Sequence, residues 1–324
     1  MRRSLVDRRQ VERLLLLSAA IRAGLIDALA RDGAHSAADV ASIAGADARA
    51  VGVVLEALVD EDVVERVGVG ESVRYRLTAV GRVHLVDDGP DLERFQLLHL
   101  VNRIHGWLEM PEVVRTGRPL PRDPAKRDVH TMVSAMCERE PEVVEEIVER
   151  CLTYAGHIRT MVDVGGAVGH VARQFSRCGV RATLFDRERV MPVAREFLGD
   201  EASDIALLSG DFTQGLPAGP FDLVYLGNVN HIYNPETNAA LMRDVFATSS
   251  PGGSVAIQDY VWGRSPRAAM FAVNMLQATE DGGVWTEAQF WDWLTAAGFV
   301  DVEVADLDTS EGQLILARRP RAGG

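Results

Sequence analysis

Residues 161–171, which read MVDVGGAVGHV, constrain the fold more than any other part of the chain. Apolar residues lead into Asp163, a glycine cluster follows, and helix-forming residues continue over 168–178. This order predicts a buried strand, a tight turn and the start of a helix. Gly165 and Gly166 let the backbone approach a ligand closely, and the free N–H groups of the next helix favour an anionic or carbonyl-bearing group there.

The same loop restricts the kind of ligand. A dinucleotide fingerprint needs G-x-G-x-x-G; Gly166 and Gly169 fit its second half, but Val164 stands where the first glycine is required. Asp163 in the turn would face a pyrophosphate with like charge, whereas it suits a ligand that carries a positive centre and an amino group. S-adenosylmethionine has both. An ordinary strand–turn–helix without a ligand has the same local pattern, so the loop alone leaves that alternative open.

Two later motifs favour a nucleoside-type ligand. Asp186 ends the run ATLFD about 20 residues past the glycines, where a carboxylate can accept hydrogen bonds from both ribose hydroxyls. Asp211 and Phe212 end the run IALLSGDF, where a carboxylate and a ring can hold adenine by hydrogen bond and contact. Three carboxylates therefore follow three predicted strands, on the face where open α/β sheets bind ligands.

The motifs VDVGGAVG, LFDR, GDF and FDLVYLGNVNHIY, in this order and spacing, resemble those of the dimeric S-adenosylmethionine-dependent small-molecule O-methyltransferases. That family includes caffeate-type and hydroxyindole-type enzymes and many bacterial natural-product enzymes, and the resemblance covers nearly the whole chain. It implies an α/β fold: a Rossmann-like methyltransferase sheet with a terminal antiparallel hairpin, preceded by a dimerisation domain. The predicted cofactor is S-adenosylmethionine, and the predicted cofactor-binding residues are Asp163, Gly165, Gly166, Asp186, Asp211, Phe212, Gly227 and Asn228.

Composition sets wider limits. The chain of 324 residues is long enough for two domains, and its 47% hydrophobic and 25% charged residues are typical of a soluble globular protein. A net charge of −13 argues against a nucleic-acid or anionic-membrane partner. The cysteines Cys137, Cys151 and Cys178 have no C-x-x-C spacing, so we expect a cytoplasmic protein with neither disulfides nor a zinc site. The apolar run 14–21 is too short to span a bilayer.

Three segments are predicted along the chain. Residues 1–90 carry helices and a hairpin that together indicate a winged-helix-like unit; its third helix is acidic at Glu56, Asp60 and Glu61, which argues against DNA reading. The resemblance assigns this unit to a homodimer interface. Residues 91–155 are predicted to form a helical connector, and the resemblance implies that it contributes to the acceptor pocket. Residues 156–324 form the S-adenosylmethionine-binding catalytic domain.

In the third segment strands and helices alternate, which predicts a parallel sheet with right-handed crossovers. The last two predicted strands are joined by a short turn and must be antiparallel. The predicted strands are 161–165, 182–186, 205–209, 221–226, 253–259, 300–306 and 312–318.

His231 is the predicted general base. It follows the fourth predicted strand of this sheet, beside the expected sulfonium, and a histidine is suited to take the proton of a hydroxyl acceptor. In the family a His-Asp-Trp motif holds the catalytic histidine here, whereas this chain reads His231-Ile232-Tyr233. Ile232 removes a possible metal ligand, so no metal is predicted. A histidine kept for packing or capping is the alternative interpretation.

Asp259 matches the acidic residue that orients the histidine in the family. A carboxylate there would fix the imidazole tautomer and stabilise its charged form. The family's second acidic residue lies near a Gly-Gly segment, here Gly282 and Gly283. Val284 or Trp285 stands at that position, so this second role is not transferred.

The predicted acceptor pocket combines aromatic, sulfur-containing and polar side chains, which suit a flat aromatic acceptor. Most of them are equally compatible with core packing; the polar Asn274 in the apolar run MFAVNML is the clearest directional contact. The predicted residues are His130, Met132, Met136, Trp262, Met270, Phe271, Asn274 and Trp285.

Together these features favour an O-methyltransferase acting on a small hydroxylated, aromatic metabolite, with His231 as general base. One alternative keeps the cofactor and methylates carbon or nitrogen of a natural-product intermediate. Another is a non-catalytic ligand-binding protein on the same fold. The sequence leaves the acceptor itself unidentified.

Overall fold

The computed structural model describes residues 7–86, 92–121, 129–135 and 141–321. The chain divides into two compact units, Met1–His105 and Gly106–Gly324. The predicted boundaries at 90 and 155 stay predictions.

The first unit consists of helices and one hairpin. Ser36 and Asp39 form a capping box at the start of the third helix, and the Asp47 carboxylate accepts the N–H of Ala50 at the start of the fourth. Buried side chains such as Leu55, which is fully enclosed, form its core. The winged-helix assignment stays a prediction. The elements are α1 (Arg8–Arg22), α2 (Leu25–Leu29), α3 (Ala37–Ala44), α4 (Ala48–Asp60), β1 (Val64–Val67), β2 (Arg74–Leu77), α5 (Ala79–Leu85) and α6 (Arg94–Leu108), whose last residues lie in the second unit.

The second unit is an α/β domain. Its helices are α7 (Met110–Thr116), α8 (Val129–Ala135), α9 (Pro141–Ala155), α10 (His170–Arg177), α11 (Met191–Leu198), α12 (Pro235–Thr248), α13 (Ala268–Ala278) and α14 (Glu287–Ala297). Its strands are β3 (Thr160–Val164), β4 (Arg181–Asp186), β5 (Ile205–Ser209), β6 (Phe221–Gly227), β7 (Ser249–Asp259), β8 (Val261–Trp262), β9 (Trp285–Thr286), β10 (Val300–Asp306) and β11 (Gln313–Arg318).

Seven strands form one mixed sheet in the order β10-β11-β7-β6-β3-β4-β5. The pairs among β3 to β7 are parallel, whereas β11 is antiparallel to both β7 and β10. The predicted Rossmann-like sheet with a terminal hairpin is therefore confirmed. The prediction missed the short parallel pair β8–β9, since two residues carry no readable periodicity.

Both faces of this sheet are covered. Successive residues of one strand point to opposite faces, so Met161 packs in one core cluster and Val162 in the other; Tyr225 and Leu226 divide in the same way. All four side chains are almost completely buried. Because the central strands are parallel, their carboxyl ends meet at one edge, which is where Asp186, Gly227 and Asp259 lie.

Candidate active site

The glycine loop between β3 and α10 has an unusual backbone. Gly165 and Gly169 have φ of 70° and 88°, and Ala167 between them also has a positive φ, 51°. A Cβ on Gly165 would lie 2.8 Å from Cγ2 of Val229, so the loop packs directly against the chain that follows β6. Glycine at 165 is therefore required for both the turn and this close approach.

Asp163 lies beneath this loop. Its side chain is 1% exposed, and its Oδ2 accepts the N–H of Ala172 in the first turn of α10 at 3.3 Å. A Cβ on Gly166 would overlap the carboxylate. This carboxylate therefore supports the start of α10 beneath the loop, and its contact with the cofactor stays a prediction.

Asp186, the last residue of β4, fixes the loop from the other side. Its Oδ2 accepts the N–H of Ala167 at 2.9 Å, and its Oδ1 accepts the N–H of Arg187 at 2.6 Å. Burial raises the pKa of this carboxyl above its usual range, although both hydrogen bonds act in the opposite direction. A carboxylate has about four acceptor positions, so two remain for hydroxyl donors.

Asp211 and Phe212 follow β5 in a short 3₁₀ turn. The Asp211 Oδ1 accepts both the hydroxyl of Thr213, at 2.7 Å, and its N–H, at 3.0 Å, and these bonds hold the pKa of Asp211 below its usual range. The Phe212 and Tyr233 rings are packed edge to face, with their centroids 5.3 Å apart. The structure thus places a carboxylate and an aromatic pair at the end of the strand next to Asp186.

The last two predicted cofactor residues follow the same edge. A Cβ on Gly227 would lie 2.7 Å from the Tyr225 hydroxyl oxygen, and Asn228 has a positive φ of 59°. Asn228 is tied to β7 twice, because its N–H and its amide Nδ2 both donate to Gln258, at 2.8 Å and 3.0 Å.

These residues fit S-adenosylmethionine chemically. Asp186 and Asp211 offer anionic acceptors for ribose hydroxyls and an amino group, and negative charge suits a sulfonium ligand. The observation that carries this fit is the half-buried Asp186 carboxylate, which keeps acceptor capacity at the end of a central strand.

His231 lies in the 3₁₀ turn Asn230–Ile232 and is held by Asp259 at the end of β7. The imidazole Nδ1 lies 2.8 Å from Asp259 Oδ1, and the His231 N–H donates to Oδ2 at 3.1 Å. Asp259 is 1% exposed and its Oδ1 also accepts the N–H of Tyr260. Because a carboxylate accepts, the pairing favours the imidazole tautomer with its proton on Nδ1, in which Nε2 is an acceptor.

Aromatic side chains surround this pair. The Phe271 ring of α13 packs edge-on with the His231 imidazole, with the ring centroids 4.8 Å apart. The centroids of the Phe271 and Tyr260 rings are 4.6 Å apart. The Trp285 indole N–H donates to the carbonyl of Asn230 at 2.9 Å. Of the predicted acceptor residues, Phe271 contacts the His231 imidazole and Trp285 contacts Asn230, the residue before His231.

The other predicted acceptor residues are less closely linked to His231. Asn274 is buried one turn from Phe271, and its Oδ1 accepts from Gln277 at 2.8 Å. Trp262 and Met270 are exposed, Met270 to 66%. His130 is exposed, Met132 packs against the cluster that contains Val133, and Met136 lies outside the described residues.

Sequence reasoning missed two buried asparagines beside His231. The Asn230 side chain donates to that of Asn238, which in turn donates to backbone carbonyls of the turn. Asn230 and Asn238 are eight positions apart, and nothing in the sequence between them indicates that their side chains meet.

Among the described residues, no group of three or more His, Cys, Asp or Glu side chains is arranged to hold a metal ion. No helix in that part of the chain is long and apolar enough to cross a membrane.

Comparison with known families identifies the class. A family model described as the O-methyltransferase domain matches residues 122–300, and one described as the O-methyltransferase dimerisation domain matches residues 15–87. The chain belongs to the O-methyltransferase family. The predicted family and its cofactor, S-adenosylmethionine, are thereby confirmed, as is the N-terminal dimerisation domain.

Curated relatives are bacterial and plant enzymes. The tetracenomycin polyketide synthesis 8-O-methyl transferase TcmO of Streptomyces glaucescens is 30% identical over 171 residues, which span 50% of each chain. The 3-amino-4-hydroxybenzoate 4-O-methyltransferase of Streptomyces cremeus is 24% identical over 86% of this chain and 80% of its own. Human N-acetylserotonin methyltransferase, solved with S-adenosylmethionine, has the same fold, with a TM-score of 0.77, 22% identity and coverage of 98% and 99%.

Proposed function

We propose that this protein transfers a methyl group from S-adenosylmethionine to a hydroxyl of a small aromatic metabolite, with His231 as the general base and Asp259 as the residue that orients it. The observation that carries the proposal is the buried pair of His231 Nδ1 and Asp259 Oδ1, 2.8 Å apart at the end of β7. Two curated relatives named above are O-methyltransferases, one of them acting on a hydroxybenzoate.

When bound, S-adenosylmethionine supplies a methyl group on a positively charged sulfur, so the acceptor must provide an electron pair. In our proposal the unprotonated Nε2 of His231 accepts the proton of the acceptor hydroxyl, which makes the oxygen a better nucleophile. Asp259 stabilises the imidazolium that results, since its Oδ1 already accepts from Nδ1.

The remaining residues bind and orient. Asp186 and Asp211 would hold the ribose and adenine, and Asp163 would support the glycine loop from beneath. The Phe271 ring, edge-on to His231, would pack against a flat acceptor and limit access of water to Nε2. Alignment of the acceptor with the methyl group supplies much of the acceleration in such a reaction.

The test is methyl transfer from labelled S-adenosylmethionine to hydroxybenzoates, hydroxynaphthoates and 3-amino-4-hydroxybenzoate. His231→Ala should lower turnover about 10²–10⁴-fold while donor affinity, measured by calorimetry, stays the same. Product analysis on 3-amino-4-hydroxybenzoate, which offers both an oxygen and a nitrogen, separates O- from N-transfer. Wild-type turnover in His231→Ala would reject the base, and a labelled amine would favour the nitrogen alternative.

A further inference from the structure

The turn that carries His231 is held by two asparagines, Asn230 in the turn and Asn238 on α12. Both are 0% exposed. Asn230 Nδ2 donates to Asn238 Oδ1 at 2.8 Å, and Asn238 Nδ2 donates to the Asn230 carbonyl at 2.9 Å and to the Tyr233 carbonyl at 3.0 Å. We refer to these two residues as the asparagine clasp. The Asn230 side chain thus donates to the Asn238 side chain, and the Asn238 side chain donates back to the Asn230 backbone, so the two residues hold each other in place.

The clasp acts on the peptide group between Asn230 and His231. The oxygen of that peptide accepts from Asn238 Nδ2 and from Trp285 Nε1, at 2.9 Å each. The N–H of the same peptide donates to Asp259 Oδ2 at 3.1 Å. The peptide plane is therefore held at both ends, by α12 and β9 on one side and by β7 on the other.

The next peptide group is held as well. The His231 carbonyl accepts the N–H of Gly283 at 2.9 Å, and the Ile232 N–H donates to the Val229 carbonyl at 3.1 Å. A Cβ on Gly282 would overlap the His231 carbonyl oxygen, so the chain packs tightly against this turn. With both flanking peptides fixed, the direction of the His231 Cα–Cβ bond is set by the backbone.

Burying the amides of Asn230 and Asn238 destabilises the fold unless their hydrogen bonds offset the loss of hydration. Asn230 Oδ1 is buried without a hydrogen-bond partner in the described part of the chain, and such an atom is unfavourable. Apolar side chains of similar volume would fill the same space without that cost. They could not donate to the Asn230 carbonyl.

We propose that the asparagine clasp is a positioning device that fixes the His231 imidazole for proton transfer, with the Asn238 side chain as its central contact. This inference rests on the proposed function of His231. Neither asparagine contacts the imidazole in the structure; the clasp acts through the peptide group that His231 shares with Asn230. Because catalysis is sensitive to displacements of about 1 Å, loss of the clasp should affect turnover more than binding.

Two variants and one matched control test the clasp in the full-length protein. Asn238→Leu removes the donor to the Asn230 carbonyl, and the double variant Asn230→Leu/Asn238→Leu also removes the unpaired amide. Val245→Ala lies on the same helix, is fully buried and makes none of these contacts, so it controls for stability. We expect kcat to fall at least about tenfold in both clasp variants, with the Kd for S-adenosylmethionine within about twofold. Val245→Ala should keep its kcat.

A second measurement needs no acceptor. In ¹⁵N-histidine-labelled protein, the ring nitrogens of His231, assigned with His231→Ala, should report one tautomer in the wild type and a mixture in the clasp variants. Wild-type kcat and a single tautomer in the clasp variants would overturn the inference, as would an equal loss of kcat in Val245→Ala. If His231→Ala is inactive while Asn238→Leu is not, only the clasp fails; if His231→Ala keeps wild-type turnover, the proposed base fails.

Discussion

Asp259 holds His231 twice, with Oδ2 on its backbone N–H and Oδ1 on its imidazole Nδ1. A carboxylate at this position therefore sets both the location of the residue and the tautomer of its ring. An amide can do only part of this, because its NH₂ group donates where the carboxylate accepts.

Asp259→Asn should accordingly lower turnover, and by less than His231→Ala, because the imidazole is disturbed and not deleted. Steady-state turnover of the wild type, Asp259→Asn and His231→Ala on the same acceptor checks this order. An Asp259→Asn variant with unaltered turnover would exclude the orienting role.

Asp186→Asn should weaken S-adenosylmethionine binding by about 1–3 kcal/mol, the scale of lost charge-assisted hydrogen bonds. Because burial raises the pKa of Asp186, wild-type affinity should begin to fall at a higher pH than for an ordinary aspartate, as the carboxylate becomes protonated. Calorimetry from pH 8 downward measures both effects. Equal affinity in the variant at pH 8 would place Asp186 outside the donor site.

The dimerisation domain should form a homodimer that includes α1. Val11 and Leu15, one helical turn apart, are each 45% exposed, which leaves an apolar strip on the first unit. Leu15→Glu should shift the protein toward a monomer in light scattering at micromolar concentration. Val69→Glu, at an exposed position between β1 and β2, serves as control. A monomeric wild type would contradict the prediction.

Ala167→Gly should leave stability unchanged or raise it by up to about 1 kcal/mol. The positive φ of Ala167 is strained for a side chain, and glycine relieves that strain while adding freedom to the unfolded chain. The same change at Ala240, inside α12, should instead cost about 1 kcal/mol. Denaturant unfolding compares the two. A larger loss at Ala167 than at Ala240 would show that the loop is unstrained.

Glu146→Gln should remove a stabilising contribution that depends on pH. Burial opposes the charge of Glu146, but hydrogen bonds from Thr309, Asp308 and Arg150 outweigh it and hold its pKa below the usual range. A lowered folded-state pKa stabilises the protein above the ordinary glutamate pKa, and this stability is lost as pH falls through the folded value.

At pH 7 the variant should therefore be less stable by about 2 kcal/mol. The difference should begin to shrink near the ordinary glutamate pKa of about 4.3 and disappear only once pH is below the lowered folded-state pKa of Glu146. Unfolding curves of Glu146→Gln and of the exposed control Glu149→Gln, followed against pH, test this. A difference that persists in acid would attribute the effect to packing.

The sequence was informative where function depends on strand ends. The apolar runs 161–165 and 182–186 predicted strands close to those observed. Strand β7 begins earlier than predicted, because its first residues, Ser249 and Ser250, are polar and do not indicate a buried strand. The glycine loop predicted the turn from β3 into α10. Asp186 is a charged residue at the end of an apolar run, which predicted its position at the end of β4.

What the sequence left unpredicted depends on side-chain direction. The sequence did not indicate that the Asp163 carboxylate accepts the N–H of Ala172 at the start of α10. The contact between Asn230 and Asn238 requires the angle between a 3₁₀ turn and α12, which no local pattern encodes.

The antiparallel insertion of β11 has a consequence for how activity could be lost. Strands β3, β4 and β5 are close neighbours in sequence, whereas Asp259 is paired across the sheet with Gln313, more than 50 residues later. Gln313 Oε1 also accepts the N–H of Val261, two residues beyond Asp259. Local opening of the hairpin β10–β11 would thus remove the pairing of Asp259 with Gln313 while β3, β4 and β5 stay folded. Under the proposed roles of Asp186, Asp211 and Asp259, such a partly open molecule would still bind S-adenosylmethionine but would not transfer its methyl group.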